Sequence, residues 1–260
     1  MGIPGFSMFK FLLKIPRIFG VIFLFIASCL LCFLLLGCVD DSSPVFSDVY
    51  LVRYQYNSNS SFFPVIENGY KNSNSSSNYA NMEIRSGFLA ICAVNGDELS
   101  CTSRNNLTSL APFKNLNVYN GTSDNVYGSF DPVVLASVFS NNIVNPYCLI
   151  TTLLLTVMTM IGTTCHGLPV MPHRSGVHQI TVILGLLAWS VWTAGAMWIQ
   201  IASNAASQIV PDASLGILQA NVGSRAEAMT WTSFVFLSLA VMLSLFVYRK
   251  ETKVVLDSKV

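Results

Sequence analysis

The chain has 260 residues, of which 52% are hydrophobic and only 10% are charged, and its formal net charge is +1. A soluble globular domain averages about 25% charged residues, so the composition excludes an ordinary soluble domain and indicates a lipid bilayer as the main partner. The near-zero net charge gives no reason to expect nucleic acid or an acidic substrate.

Four apolar runs without Asp, Glu, Lys or Arg are long enough to cross a bilayer, which takes about 20 residues of helix. They are Ile18–Cys38, Tyr147–Leu168, Ile180–Ser203 and Ala228–Tyr248. A single such run is compatible with a buried core helix, but four together predict an α-helical membrane protein with a four-transmembrane-helix bundle. Spans without ionisable residues argue against a transporter, and against a pore formed by these helices alone.

Basic residues on the short flanking segments predict which segments are cytosolic. They are Lys10, Lys14 and Arg17 before the first span, Arg174 in the middle connection, and Arg249, Lys250, Lys253 and Lys259 after the fourth. Residues 1–17, 169–179 and 249–260 are therefore predicted inside, and loops 39–146 and 204–227 outside. An alternative is that the first run is cleaved. It would be removed as a signal peptide or cut at the lipoprotein-like Leu35-Leu36-Gly37-Cys38, and the first loop would lie on the same side in either case.

The first external loop contains four N-glycosylation sequons. They begin at Asn59, Asn74, Asn106 and Asn120. They agree with an external, glycosylated loop, although a segment this rich in Asn, Ser and Thr produces such triplets by chance. Alternation of Tyr50, Val52, Tyr54 and Tyr56 predicts a strand over residues 49–56. The Asn/Ser-rich residues 57–81 are expected to form a flexible insertion.

A disulfide-stapled hairpin is predicted in the same loop. Residues 88–94 and 99–102 flank Asn95-Gly96-Asp97-Glu98, and an Asn-Gly pair is a strong turn signal. With these four residues as the turn, Cys92 lies opposite Cys101. Opposed residues have Cα atoms about 4.5–5.5 Å apart, within the range a disulfide accepts. The alternative is two free thiols. A second bridge between Cys38 and Cys148 is possible because both are predicted at the outer membrane face.

The second external loop is expected to form a short helix on the outer surface. Asp212 is a plausible cap, and Leu215, Leu218 and Val222 recur at helical spacing. Threonines of the second span and tryptophans of the third are interpreted as packing and interface residues, with a polar pathway along the threonines as the alternative.

No catalytic motif is present, so the chain is interpreted as a non-enzyme without a cofactor. Several cysteine and histidine residues cluster near the middle connection, namely Cys165, His166, His173 and His178. Their spacing matches no zinc pattern well, so no metal site is predicted.

The layout resembles the claudin plan of four spans, cytosolic ends, a large first external loop and a short second one. Claudins carry Gly-Leu-Trp, two further residues and Cys, with a second Cys nine or ten positions on. Gly87 and Cys92 keep that spacing, Phe88-Leu89 replaces Leu-Trp, and Cys101 fits the partner cysteine. This loop has no tryptophan, and its motif and the Gly37-Cys38 end of the first span look more like the fungal claudin-like Fig family.

The Fig family comprises mating-induced calcium regulators and membrane-fusion factors. The resemblance implies a multi-pass plasma-membrane protein at contact sites between mating cells, which supports calcium influx and the merging of the two membranes through its first external loop. It also implies membrane-protein partners or a homo-oligomer, formed through the spans and external loops, and no small-molecule substrate. The alternative function is a structural organiser of plasma-membrane domains or cell contacts, as in eisosome-type claudin-like proteins.

Overall fold

The computed structural model describes residues 4–39, 44–72, 79–96, 98–107, 110, 131–167 and 174–257. The helices are α1 (Pro4–Leu36), α2 (Pro44–Ser47), α3 (Phe63–Asn72), α4 (Pro132–Val138), α5 (Pro146–Gly167), α6 (Arg174–Ala213) and α7 (Ser224–Asp257). The strands are β1 (Val52–Tyr56), β2 (Glu83–Ser86), β3 (Ala90–Asn95), β4 (Glu98–Ser103) and β5 (Leu218–Val222). A 3₁₀ turn covers Tyr79–Asn81 and a π-helical turn Phe139–Ile143.

The chain divides into two compact units. The helical unit comprises Met1–Cys32, Tyr147–Ala196 and Met229–Val260. The sheet unit comprises Phe33–Pro146 and Met197–Ala228.

Four helices are long and apolar enough to cross a membrane, and they fit a tetraspan membrane protein. The candidate spans are Pro16–Leu36, Pro146–Cys165, Gly176–Ala213 and Ser224–Thr252. All four overlap the runs predicted from hydropathy, but the helices continue beyond them. Helix α1 already begins at Pro4, and α6 runs to Ala213, ten residues past the predicted end of the third span.

Several polar side chains inside the helical unit bond to their own helix or across a helix pair. The hydroxyls of Thr152, Thr156 and Thr159 each donate to the backbone carbonyl four residues earlier at 2.7 Å. The indoles of Trp189 and Trp192 donate to Ser238 and Ser233 of α7 at 2.8 and 3.1 Å. These bonds favour the packing interpretation of the threonines and of these two tryptophans over a polar pathway.

An antiparallel five-stranded sheet forms the centre of the sheet unit, in the order β4-β3-β2-β1-β5. Cys92 is paired with Cys101, Ala93 with Ser100 and Val94 with Leu99, which is the register predicted for the hairpin. Asn95 is also paired with Glu98, so the turn is two residues shorter than predicted. Gly96 occupies this turn with φ of 60°, a conformation that glycine adopts without strain.

The helix predicted in the second external loop is wrong. Helix α6 continues through Asp212, and Leu218–Val222 form β5, which pairs with β1 from Val52↔Val222 to Tyr56↔Leu218. Leu218 and Ala220 are buried while Asn221 is exposed. The same apolar residues that fit a helical spacing therefore fit a strand, and the long-range pairing with β1 decides between the two.

The flexible insertion predicted over residues 57–81 is also wrong for its described part. Helix α3 occupies Phe63–Asn72, and Ile66 and Tyr70, four residues apart, are 1% and 2% exposed. The Tyr70 hydroxyl lies 3.3 Å from the hydroxyl of Tyr56. Two buried apolar side chains on one helix face are enough to fix this segment to the sheet, although its overall composition is polar.

Helix α4 covers the same sheet face. The Asp131 carboxylate accepts the Val133 amide at 2.8 Å and caps its start. The Phe139 ring packs edge-on against Tyr54 of β1. At the other end of this helical segment the Arg104 guanidinium donates to the carbonyls of Ser140 and Val144 at 3.2 and 3.4 Å, which satisfies carbonyls that a helix end leaves unpaired.

Candidate functional site

The hairpin motif Gly87-Phe88-Leu89 leads directly into β3. Cys92 lies within β3 and is joined by a disulfide to Cys101 of β4, with 4.0 Å between their Cα atoms. Phe88 is 1% exposed and belongs to the core, whereas Leu89 is half-buried. Gly87, Phe88 and Cys92 are thus internal, and they pack the hairpin into the sheet unit.

Gly87 is the point at which the hairpin meets the end of α1. A Cβ at Gly87 would lie 2.7 Å from the Gly37 carbonyl oxygen, 3.1 Å from the Cys38 Cβ and 3.2 Å from the Ala90 carbonyl oxygen. A Cβ at Gly37 would in turn collide with the Val49 carbonyl oxygen. Gly87 does not have positive φ, so close approach of two backbones is what this position requires.

Cys38 completes this contact, and we call Gly37, Cys38, Gly87 and Cys92 the junction. Cys38 is fully buried with φ of 63°, and its carbonyl oxygen lies 3.3 Å from the Cys92 Sγ. Its thiol lies 3.8 and 3.7 Å from the carbonyls of Ser47 and Val49. The junction therefore ties the stapled hairpin to the residues that follow the first span.

Cys38 and Cys148 both carry free thiols in the structure, and because they belong to different compact units the possible bridge between them stays a prediction. Cys38 lies two residues beyond the candidate span Pro16–Leu36. Burial raises the pKa of its thiol to about 12, and Arg85 lowers it by a smaller amount. A thiol held in its neutral form is a poor nucleophile and a poor partner for disulfide exchange.

A chain of five charges lies beside the junction. Arg85 donates to Asp48 at 2.7 Å and to Glu83 at 3.2 Å, Arg53 donates to Glu83 at 3.0 Å, and Arg225 pairs with Asp48 at 3.1 Å. Arg85 is paired with Cys92 in the sheet register, so it shares a face with the disulfide. Its side chain is 15% exposed and its guanidinium lies 5.2 Å from the centroid of the Tyr50 ring.

These ion pairs connect three separate parts of the sequence: the segment after α1, the central strands, and the first turn of α7. Sequence reasoning missed them. The alternation of Arg53 with Tyr54, and of Glu83 and Arg85 around Ile84, marks the polar sides of two strands. Which polar side chains pair across strands depends on a register that the sequence did not reveal for β1 and β2.

The remaining predicted site residues are dispersed. Asn59 and Asn106 are exposed, in the turn before α3 and just after β4 respectively, whereas Asn74 and Asn120 lie outside the described residues. Among the described residues no group of three His, Cys, Asp or Glu is placed to hold a metal ion. His178 is buried against Tyr248 and lies 3.8 Å from Glu251, while His173 is not among the described residues.

Four long apolar helices, and a disulfide-containing sheet built from the first and third of the three connections between them, define the class as a tetraspan membrane protein with a small sheet domain. Residues 69–250 match the family described as Ca²⁺ regulator and membrane fusion protein Fig1, and the chain belongs to this family. It is similar to the Factor-induced gene 1 protein of Saccharomyces cerevisiae (strain ATCC 204508 / S288c), with 29% identity over 263 residues, 94% of this chain and 87% of the relative.

Proposed function

We propose that this protein acts at the plasma membrane of mating fungal cells, where it supports membrane fusion and calcium influx through its first external loop. The family description names calcium regulation and membrane fusion. The observation that carries the role of the loop is the junction. The motif shared with claudin-like proteins is used to dock the stapled hairpin against the end of the first span, through Gly87 and Gly37.

The proposal includes a claudin-like topology. Both termini and the connection 169–179 lie in the cytosol, and the sheet unit lies outside. The disulfide between Cys92 and Cys101 supports this assignment, because disulfides persist in oxidising compartments. The exposed sequon asparagines Asn59 and Asn106 agree with it. Epitope tags at either end should resist external protease in sealed cells, and an externally digested tag would refute the topology.

The central experiment is deletion of the gene in its host, followed by scoring of paired cells for cytoplasmic mixing and of pheromone-treated cells for calcium uptake. Loss of either activity, restored by the parent sequence, supports the proposal. Normal fusion and normal uptake in the deletion strain would contradict it. Induction of the transcript by mating pheromone separates this function from that of a constitutive organiser of membrane domains.

We propose further that the calcium effect is indirect. The four spans predicted from the sequence hold no Asp, Glu, Lys or Arg, and ion pathways usually place charges within the membrane. The threonine hydroxyls of α5 bond to their own backbone. Purified protein in liposomes should pass little calcium. A robust, ion-selective flux would refute an indirect effect and would indicate the Thr-rich span as the ion pathway to test first.

A further inference from the structure

A cleft lies within the helical unit and is lined by residues of all four candidate spans. Its walls include Arg17 and Gly20 of α1, Thr163 of α5, His178 of α6, and Leu243 and Ser244 of α7. Gly20 is buried, yet nothing lies within 4 Å of a Cβ built on it. Protein interiors are close-packed and contain few such spaces, so helix packing alone does not explain the open space beside α1.

Charged side chains meet at one end of the cleft. The Arg17 guanidinium donates to one oxygen of the Glu251 carboxylate, and the His178 Nε2 lies 3.8 Å from the other oxygen. The three residues come from α1, α7 and α6. A guanidinium carries five donors in a rigid fork that matches the oxygens of a carboxylate or a phosphate. The ion pair therefore holds a phosphate-binding type of side chain at this end of the cleft.

This polar end lies at the predicted cytosolic boundary of the bundle. Arg17 directly precedes the first apolar run, His178 lies two residues before the third, and Glu251 lies three residues after the fourth. Three boundaries predicted separately thus coincide in the structure. Thr163 and Leu243 each lie five residues inside the ends of their runs, which is about 7.5 Å of helix. The cleft therefore extends from the level of the lipid headgroups into that of the acyl chains.

The charge of the chain is strongly divided between the two sides. The segments predicted to be cytosolic contain eight Lys and Arg but two acidic residues, whereas the rest of the chain contains six Lys and Arg and eleven acidic residues. Arg249 and Lys250, in the last turns of α7, are exposed. The cytosolic leaflet carries anionic lipids, which basic residues beside a span attract. The field at this end of the bundle therefore favours an anionic occupant.

We propose that the cleft binds an anionic phospholipid of the cytosolic leaflet. Arg17 and His178 contact the headgroup phosphate, and the first carbons of an acyl chain lie along Leu243 and Val247. A free phosphate ion would use only the polar end, whereas a lipid matches both the polar end and the apolar depth of the cleft. Basic pockets between membrane-spanning helices on the cytosolic side are a known form of lipid-headgroup site. The inference goes beyond the proposed fusion role and uses only the proposed topology.

The test uses the purified full-length protein in neutral detergent, titrated with phosphatidylserine or phosphatidylcholine of the same acyl chains and measured by native mass spectrometry. Arg17→Gln should weaken phosphatidylserine binding about tenfold, the factor that one charge-assisted hydrogen bond contributes. Gly20→Leu retains every charge and fills the cleft, so it should weaken binding at least as much. Leucine is needed for this, because an alanine Cβ at Gly20 meets nothing within 4 Å. The thermal midpoint of Gly20→Leu should equal the parent's or rise, because leucine favours a helix more than glycine does.

The matched control is Arg249→Gln, which removes one positive charge from an exposed position of α7 that is not among the residues lining the cleft. It should bind phosphatidylserine like the parent. Equal losses in Arg17→Gln and Arg249→Gln would show diffuse charge attraction and overturn the inference. So would parent-like binding or a lower midpoint for Gly20→Leu, equal affinity of the parent for both lipids, or displacement of the lipid by inorganic phosphate. No cells are used, so normal fusion in the deletion strain would refute the proposed function without changing this result.

Discussion

Substitution of Gly87 by valine tests the junction directly. An added Cβ at Gly87 lies 2.7 Å from the Gly37 carbonyl oxygen and 3.2 Å from the Ala90 carbonyl oxygen. Both neighbours are backbone atoms, so no change of side-chain rotamer relieves the contact. Either the hairpin moves away from the end of α1 or the strain remains in the folded protein.

Two variants, with a smaller and a larger side chain at Gly87, test how the loss of folding stability depends on the added volume. Overpacking in a filled interior costs about 1–3 kcal/mol, and replacing glycine by alanine at an allowed φ returns about 0.4–1 kcal/mol through the unfolded chain. We therefore expect Gly87→Ala to destabilise by about 1–2 kcal/mol. Gly87→Val, with two further methyl groups, should cost about 3 kcal/mol or more. Gly20→Ala is the control, because nothing lies within 4 Å of a Cβ at that position.

The assays are the thermal midpoint of purified protein and cell fusion at matched surface abundance. The midpoint should fall in the order parent, Gly87→Ala, Gly87→Val, with Gly20→Ala equal to the parent or above it. Fusion should follow the same order. A valine variant with the parent's midpoint and full fusion activity would show that the close approach of Gly87 and Gly37 is not needed, and the reasoning about the junction would fail.

Three further predictions follow from the sheet unit. The double variant Cys92→Ser, Cys101→Ser removes a disulfide that contributes about 2–3 kcal/mol by chain entropy. It should abolish fusion while the spans still insert. Each single variant should be at least as damaging, because its partner thiol is left free. Full activity of the double variant at normal surface abundance would make the bridge dispensable. Cys38 should resist maleimide at neutral pH and react on denaturation, in a background in which the other free cysteines, Cys29, Cys32, Cys148 and Cys165, are replaced by serine. Burial raises the pKa of the Cys38 thiol from 9.0 to about 12. The free energy of unfolding that this buried neutral thiol contributes is therefore fully present below pH 9 and is lost as pH rises toward 12. A Cys38→Ala variant that loses as much stability at alkaline pH as the parent would contradict this reasoning. Replacing the four sequon asparagines with glutamine should speed migration on a gel, and an unchanged mobility would show that the sites are unused or not luminal.

The features recovered from sequence are those whose signal is local. The spans are visible because a run of about 20 consecutive apolar residues is long enough to cross a bilayer, and four such runs in one chain favour spans over buried core helices. The hairpin register followed from a turn and two cysteines within a dozen residues, and the structure has Cys92 opposite Cys101. The resemblance drew attention to Gly87 by its spacing to Cys92, and the structure shows that close approach of two backbones, not positive φ, is what glycine provides there.

The features that were missed depend on contacts between distant parts of the sequence. Leu218 and Val222 fit both a helix and a strand, and only pairing with β1 selects the strand. Two apolar residues, Ile66 and Tyr70, are too few to predict a helix from sequence, and the helix is stabilised because the sheet buries both of them. Arg85 also pairs with Asp48, 37 residues earlier, and no periodicity in the sequence indicates that contact. Composition predicts whether a segment lies in lipid or in water. Which other segments it packs against is decided by long-range pairing.

The position of β5 at the edge of the sheet has a consequence for biosynthesis. Gln55 of β1 bonds to Gln219 of β5, 164 residues later in the chain. At typical rates of synthesis, β1 waits on the order of 10–30 s before its partner strand leaves the ribosome. During that interval β1 is an open edge, which attracts other strands. On the proposed topology, the lumen of the secretory pathway holds an incomplete sheet until residues 218–222 are made. Nascent chains truncated before residue 218 are then expected substrates for retention and degradation.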